Sequence, residues 1–194
     1  MIVLTNITGI TYARQAESFI YDDIPYSKLD CQAFVEQVLK DCGVQKSDGS
    51  AYNWRGSNAM WRQALQWKGT LSECRTEFGE IPVGTWVFIV KHDGGEKNRG
   101  YNDNEGNATH VGIYLGDDTV RDSTKTAYRD GVGYRELKGF THVGFPSMIT
   151  YSGELTPPDN LDALSSVHII RDKNSTDEQI LKALEYLTKY MRGV

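Results

Sequence analysis

Cys31 stands directly after Asp30 at the head of "CQAFVEQVLKD", and His110 opens the run "HVGIYLG". A thiol at a helix N-terminus is biased toward thiolate, because the dipole and the free backbone N–H groups favour negative charge there. Used as a nucleophile, it needs a base that takes its proton and later returns it to a leaving amine. Imidazole does this near neutral pH and in turn needs a group that orients it. Asp122, in "TVRDST", is the candidate orienter. A carboxylate beside the ring raises a histidine pKa by about 1–3 pH units, which would favour a Cys31–His110 ion pair. The backbone N–H of Cys31 lies at the same helix start and can act as one oxyanion donor, worth on the order of 10²–10³ in rate. The competing reading is packing, since Cys31 lies on an apolar stripe and cysteine buries well as a small hydrophobe.

Elements far apart in the chain must bring these groups together. Cys31, Phe34, Val35, Val38, Leu39 and Cys42 fall at helical spacing. They predict a helix from about Cys31 to Asp41, capped by Asp30 and ended at Gly43. Upstream, "YARQAESFIY" (12–21) reads as a short helix with Ala13, Ala16, Phe19 and Ile20 on one side, broken by Pro25. "SNAMWRQALQW" (57–67) reads as a third helix, capped by Ser57 or Asn58, and "TWVFIV" (85–90) as a strand. The polar, glycine-rich stretch 92–108 is long enough to be a lid over the cleft, a partner-binding loop or a disordered segment. On the strand that follows, His110, Gly112 and Tyr114 share one face. A hairpin with a three-residue loop, Gly116–Asp118, sets Asp122 opposite Gly112 and diagonal to His110. A one-residue slip would point Asp122 away and leave Ser123 or Thr124 in its place. "GVGYRELK" and "FTHVGF" read as further strands, and Thr156–Pro158 as a linker. "STDEQILKALEYLTKYM" then carries a Ser175–Glu178 capping box and an apolar line through Ile180, Leu184, Leu187 and Met191, the pattern of an amphipathic terminal helix.

The chain has 194 residues, 39% hydrophobic and 24% charged, as expected for a soluble globular domain with an appendage. A formal net charge of −5 with no basic run argues against sequence-blind nucleic-acid binding and against a membrane-surface patch. "MIVLTNITGITYARQ" has neither a basic n-region nor a long apolar stretch, so no signal peptide or transmembrane span is expected, and synthesis in a cytoplasm is. Cys31, Cys42 and Cys74 have no CxxC spacing, and His92, His142 and His168 lack ligand partners at metal-site spacing. Neither a metal nor a cofactor is expected; Cys42 reads as core, and Cys74 as core or half-exposed.

"PYSKLDCQAFVEQVL", "EIPVGTWVFIV" and "THVGIYLGDDTVRDST" occur in that order across about residues 10–150. Together they resemble the NlpC-like family of papain-fold cell-wall cysteine peptidases. The chain departs from that pattern in three places: Gln32-Ala33 replaces a Ser-Gly pair, Asp122 stands where His, Asn or Gln is more usual, and the loop 92–108 is longer than the family leads one to expect. The resemblance implies an α+β, papain-like fold, with N-terminal helices packed on an antiparallel sheet. It gives a peptidase domain over residues 1–150, and a linker with a C-terminal helical extension over 151–194. By the same resemblance Cys31 is the nucleophile, His110 the base and Asp122 the orienter, while Tyr26 and Asp30 lie on the substrate side. The implied reaction is hydrolysis of an amide in a peptidoglycan stem peptide, often the bond from the D-glutamate γ-carboxyl to the diamino acid. The expected partners are peptidoglycan peptides and, in a phage or prophage setting, a tail protein. Such an enzyme would be virion-borne or released at lysis. Two alternatives remain at this point: a non-catalytic phage structural or binding protein that keeps the fold, and a thiol amidase or acyltransferase on another substrate.

Overall fold

The computed structural model describes residues 7–151; the linker and the expected C-terminal helix lie outside them. In chain order these residues form β1 (Ile7–Thr8), α1 (Gly9–Ala16), α2 (Cys31–Asp41), α3 (Ser57–Gln63), β2 (Leu65–Thr70) and α4 (Leu71–Phe78). Then come β3 (Trp86–Lys91), β4 (Asn107–Gly116), β5 (Thr119–Lys125), β6 (Asp130–Glu136), β7 (His142–Pro146) and β8 (Ile149–Thr150). A six-stranded sheet runs in the order β2-β7-β3-β4-β5-β6, antiparallel at every pairing. β1 and β8 form a separate parallel pair. Helices precede an antiparallel meander, so the class is α+β.

Apolar periodicity accounts for the packing. The stripe of α2 buries Phe34, Val35, Val38 and Leu39 in one cluster with Val111 and Ile113 of β4 and Trp86 and Phe88 of β3. Val87, the residue between those two β3 aromatics, belongs to a second cluster with Tyr114, Val120, Val143 and Phe145. β3 is therefore covered on both faces, which explains its continuous apolar run. Each fully buried side chain of this kind contributes about 1.5–3 kcal/mol. Cys74 is buried in the second cluster, whereas Cys42 is only half-buried against the first.

Several local expectations change. The helix expected over residues 12–21 starts earlier, because Thr8 caps it by accepting the Thr11 N–H, and it stops at Ala16. Phe19–Tyr21 is a separate 3-10 turn. Tyr12 and Tyr21 take the buried positions, while Phe19 and Ile20 are 49% and 63% exposed. The third helix ends at Gln63, and the chain turns at once into β2. Neither Ser57 nor Asn58 caps it. Gly56 occupies that position with φ 92°, and both side chains bind the backbone of Ala108 instead. No helix among the described residues is long and apolar enough to cross a membrane.

Candidate active site

Cys31 is the first residue of α2. Asp30 precedes it in extended backbone, and its carboxylate accepts the Ala33 N–H at 2.8 Å. That cap leaves the N–H of Cys31 without an intrahelical partner, as at any helix start. The turn before it is fixed from two sides. Pro25 C=O accepts the N–H groups of Lys28 and Leu29, at 2.8 and 3.1 Å. From the sheet, Asp130 accepts the Tyr26 N–H at 2.9 Å, and the Ser123 hydroxyl donates to Leu29 C=O. Gly131 makes this approach possible: its φ is 124°, and a Cβ there would lie 2.3 Å from Ile24 C=O.

His110 lies inside β4, an interior strand, rather than at the strand's opening as expected. Ile89 pairs with His110 and Val90 with Ala108, so the register shifts by one and Thr109 has no opposite residue. A bulge of this kind re-aims the neighbouring side chain and is common beside functional groups. The hairpin into β5 turns through two residues, Asp117 and Asp118, both with positive φ (46° and 52°), as a type I′ turn requires. The expected three-residue loop is therefore absent. A register shift between Tyr114 and Gly116 compensates, and Tyr114 pairs with Val120 and Ile113 with Arg121. That is the register the longer loop would have produced, and Asp122 comes to lie beside Gly112. A Cβ on Gly112 would meet the Asp122 Cβ at 3.1 Å and Val120 at 2.6 Å, so glycine lets the two strands close at this point.

The result is a hydrogen bond of 2.6 Å between His110 Nε2 and Asp122 Oδ2. The carboxylate can only accept, so Nε2 carries the proton. Cys31 also hydrogen-bonds the ring, and Nδ1 is the nitrogen left for it. Burial pulls the His110 pKa down, but the bonds to Asp122 and Cys31 outweigh it and push the ring up to about 9. His110 is thus an imidazolium at neutral pH. Phe140 covers it, with ring centroids 5.9 Å apart.

Asp122 is fully buried and serves three cations. Besides His110, Oδ2 accepts Arg135 Nη1 at 3.1 Å, and Oδ1 accepts Arg129 Nη2. Burial alone would raise its pKa; the His110 bond and the charges of His110, Arg129 and Arg135 instead hold it below the usual carboxylate value. The two arginines were not expected from the sequence. Their signal is a strand pairing: Asp122 lies opposite Gly133 on β6, next to the Arg135 position.

Tyr26 is half-buried and hydrogen-bonds Cys31. Burial first, then the negative charges of Cys31 and Asp30, push its hydroxyl up to about 12, so it remains a donor across the working pH range. Gln32 donates to Glu36 at 2.8 Å and to Trp54 C=O, and Glu36 accepts the Trp54 N–H at 2.6 Å. The residue after Cys31 thus ties the 52–54 segment to α2.

Cys31, His110, Asp122 and Tyr26 therefore form one connected cluster, and Asp30 adjoins it as the helix cap whose charge acts on Tyr26. A thiol, an imidazolium and a buried carboxylate in sequence can donate a proton to a leaving group and hold the ring while it does so. Among the described residues no group of three or more His, Cys, Asp or Glu side chains could hold a metal ion. A cavity of about 500 Å³ lies elsewhere, between Leu71, Arg75, Asp117–Thr119 and Glu136–Phe140. No family model matches the chain, and no curated protein matches it.

Proposed function

We propose that the protein is a cysteine peptidase of papain-like architecture that hydrolyses an amide bond in peptidoglycan stem peptides. The bond from the D-glutamate γ-carboxyl to the diamino acid is its first candidate target. One observation carries the reading: His110 is bonded at the same time to Cys31 at a helix N-terminus and to a buried, ionised Asp122. The reactive form of Cys31 is the thiolate. It attacks the amide carbon, and the Cys31 N–H faces the developing oxyanion. His110 gives its Nδ1 proton to the leaving amine. The neutral ring then takes a proton from water as that water attacks the thioester, which restores the imidazolium and the thiolate. Asp122 stays ionised and keeps the Nε2 proton in place. A phage or prophage setting, tail-borne or lysis-associated, accompanies this proposal.

The test is digestion of intact sacculi and of purified stem peptides, read by mass spectrometry, with Cys31→Ala as control. The proposal expects two fragments from the wild type whose masses sum to the substrate plus one water, cut within the peptide, and none from the variant. Survival of both substrates in the wild type refutes it and favours the binding-protein alternative. A cut between the sugar and the peptide refutes it in favour of an amidase.

A further inference from the structure

The carboxylate that orients His110 is itself held by two arginines, and the fold makes special room for one of them. Arg129 leaves the β5–β6 turn and crosses β6 to reach Asp122 Oδ1, donating on the way to Tyr134 C=O at 3.0 Å. It crosses over Gly133, the residue paired with Asp122. A Cβ on Gly133 would lie 2.5 Å from Arg129 Nη1 and 2.7 Å from its Cδ. Gly133 does not have the positive φ that would call for glycine on backbone grounds; the space for Arg129 is what its missing side chain provides. Arg135 reaches Oδ2 from the same strand, its guanidinium 5.1 Å from the centre of the Phe140 ring, which also covers His110. The side chains of Arg129 and Arg135 are 22% and 35% exposed, whereas Asp122 is fully buried.

We propose that Arg129 and Arg135 are positioning residues of the active site: they fix the Asp122 carboxylate and, by sharing its charge, limit how tightly it holds the proton on His110. This rests on the peptidase reading for its catalytic meaning. The physics is that of a shared anion. His110 faces Asp122 on β5 and Cys31 on α2, with Tyr26 and Asp30 beyond Cys31. Arg129 and Arg135 face the far side of Asp122. Each arginine repels the imidazolium through the carboxylate that lies between them. Without one of them, more of the anion's field falls on His110, and the ring gives up its proton less readily to a leaving amine.

The test titrates the His110 ring by NMR in the wild type, Arg135→Gln, Arg129→Gln and Gly133→Ala, each checked for cooperative unfolding. The midpoint should rise by roughly half a unit to one unit in each arginine variant. Gly133→Ala should raise it in the same direction with net charge unchanged, because the methyl group displaces Arg129. In hydrolysis, kcat should fall about three- to tenfold with KM unchanged, and the alkaline limb of the pH profile should move with the NMR midpoint. A midpoint that stays put or falls in folded variants overturns the proposal, since a purely structural clamp predicts that. If an arginine variant does not fold, Gly133→Ala carries the measurement. The NMR titration needs no substrate. A shifted midpoint in a protein that cleaves nothing keeps the arginine control of His110 and refutes the peptidase reading alone.

Discussion

Asp122→Asn keeps the shape of the side chain and removes its charge, and the structure sets what should follow at each pH. In the wild type, Asp122 and Cys31 together lift His110 to about 9 against the pull of burial. A raised histidine pKa is stability that is fully present below the unfolded-state value, about 6.5, and is lost as pH rises through the folded-state value. The gap between about 6.5 and about 9, at about 1.36 kcal/mol per pH unit, amounts to about 3 kcal/mol. In Asp122→Asn, burial acts on the ring without the opposing carboxylate, and the arginines are left without their anion. His110 then keeps only the upward pull of Cys31, its pKa falls, and part of the stability it contributes at low pH is lost. The variant should be less stable at every pH, because removing one partner of a buried ion pair costs about 3–5 kcal/mol. Partial exposure of the arginines puts the cost at the lower end. The difference between the two proteins should also narrow between about pH 6.5 and about pH 9, by the share of that stability that Asp122 rather than Cys31 supplies. Urea unfolding of both at a series of pH values reads that difference directly, since all other titrating groups are shared. Two curves that run parallel across that range would show that Asp122 does not govern His110.

Gly131→Ala places a Cβ 2.3 Å from Ile24 C=O at a φ of 124°. The strain should lower stability by about 2–4 kcal/mol, seen as a lower Tm; a Tm within about 2 °C of wild type would contradict the close approach. Asp30→Ala removes the carboxylate that accepts the Ala33 N–H at 2.8 Å. It should cost about 1 kcal/mol in urea unfolding with little change in the slope, and a value near zero would deny Asp30 its capping role.

How much of this was legible in the sequence depends on the range over which each feature is decided. The helix from Cys31 to Asp41, its Asp30 cap and the glycine beyond it are set by neighbouring residues, and the structure follows them closely. The short helix α4 was not among the expected elements, although its signal is equally local: Thr70 and Glu73 form a reciprocal capping box that "TLSE" displays in the sequence. The hairpin shows a subtler case. The expected register for Asp122 appears, but through a two-residue turn plus a register shift rather than a longer loop. Turn chemistry is local, whereas the register is chosen by which residues must be buried; Val120, Asp122 and Ser123 are all buried. Arg129 and Arg135 were illegible for the same reason. Arg135 stands on a strand with alternating exposure and Arg129 in the turn before it, where charged residues read as solvent-facing, and only the β5–β6 pairing brings them to a carboxylate.

The segment between β3 and β4 shows the same principle on a larger scale. Its composition suggested a lid, a partner-binding loop or a disordered stretch, and polar groups of α3 hold its second half from one side. Arg62 forms a two-pronged pair with Asp103, at 2.6 and 2.9 Å, and also donates to Gly106 C=O at 2.9 Å. Its guanidinium lies 4.3 Å from the centre of the Tyr101 ring. Asn58 bonds Asn107, which in turn bonds Asp93, and the Trp61 indole donates to Glu105 C=O at 3.1 Å. A lid would have to break most of these bonds to open. Residues 101–107 are therefore fastened to α3. Asn58 also accepts the Ala108 N–H at 3.0 Å, and Ser57 donates to Ala108 C=O at 2.6 Å. α3 thus fixes the start of β4 two residues before His110, just where the register shifts at Thr109. The imidazole is then held at both ends: by α3 and the register shift on the approach, and by Asp122 with its two arginines beyond the ring. A side chain restrained in this way loses little freedom when it transfers a proton, which is the property the proposed chemistry requires of it.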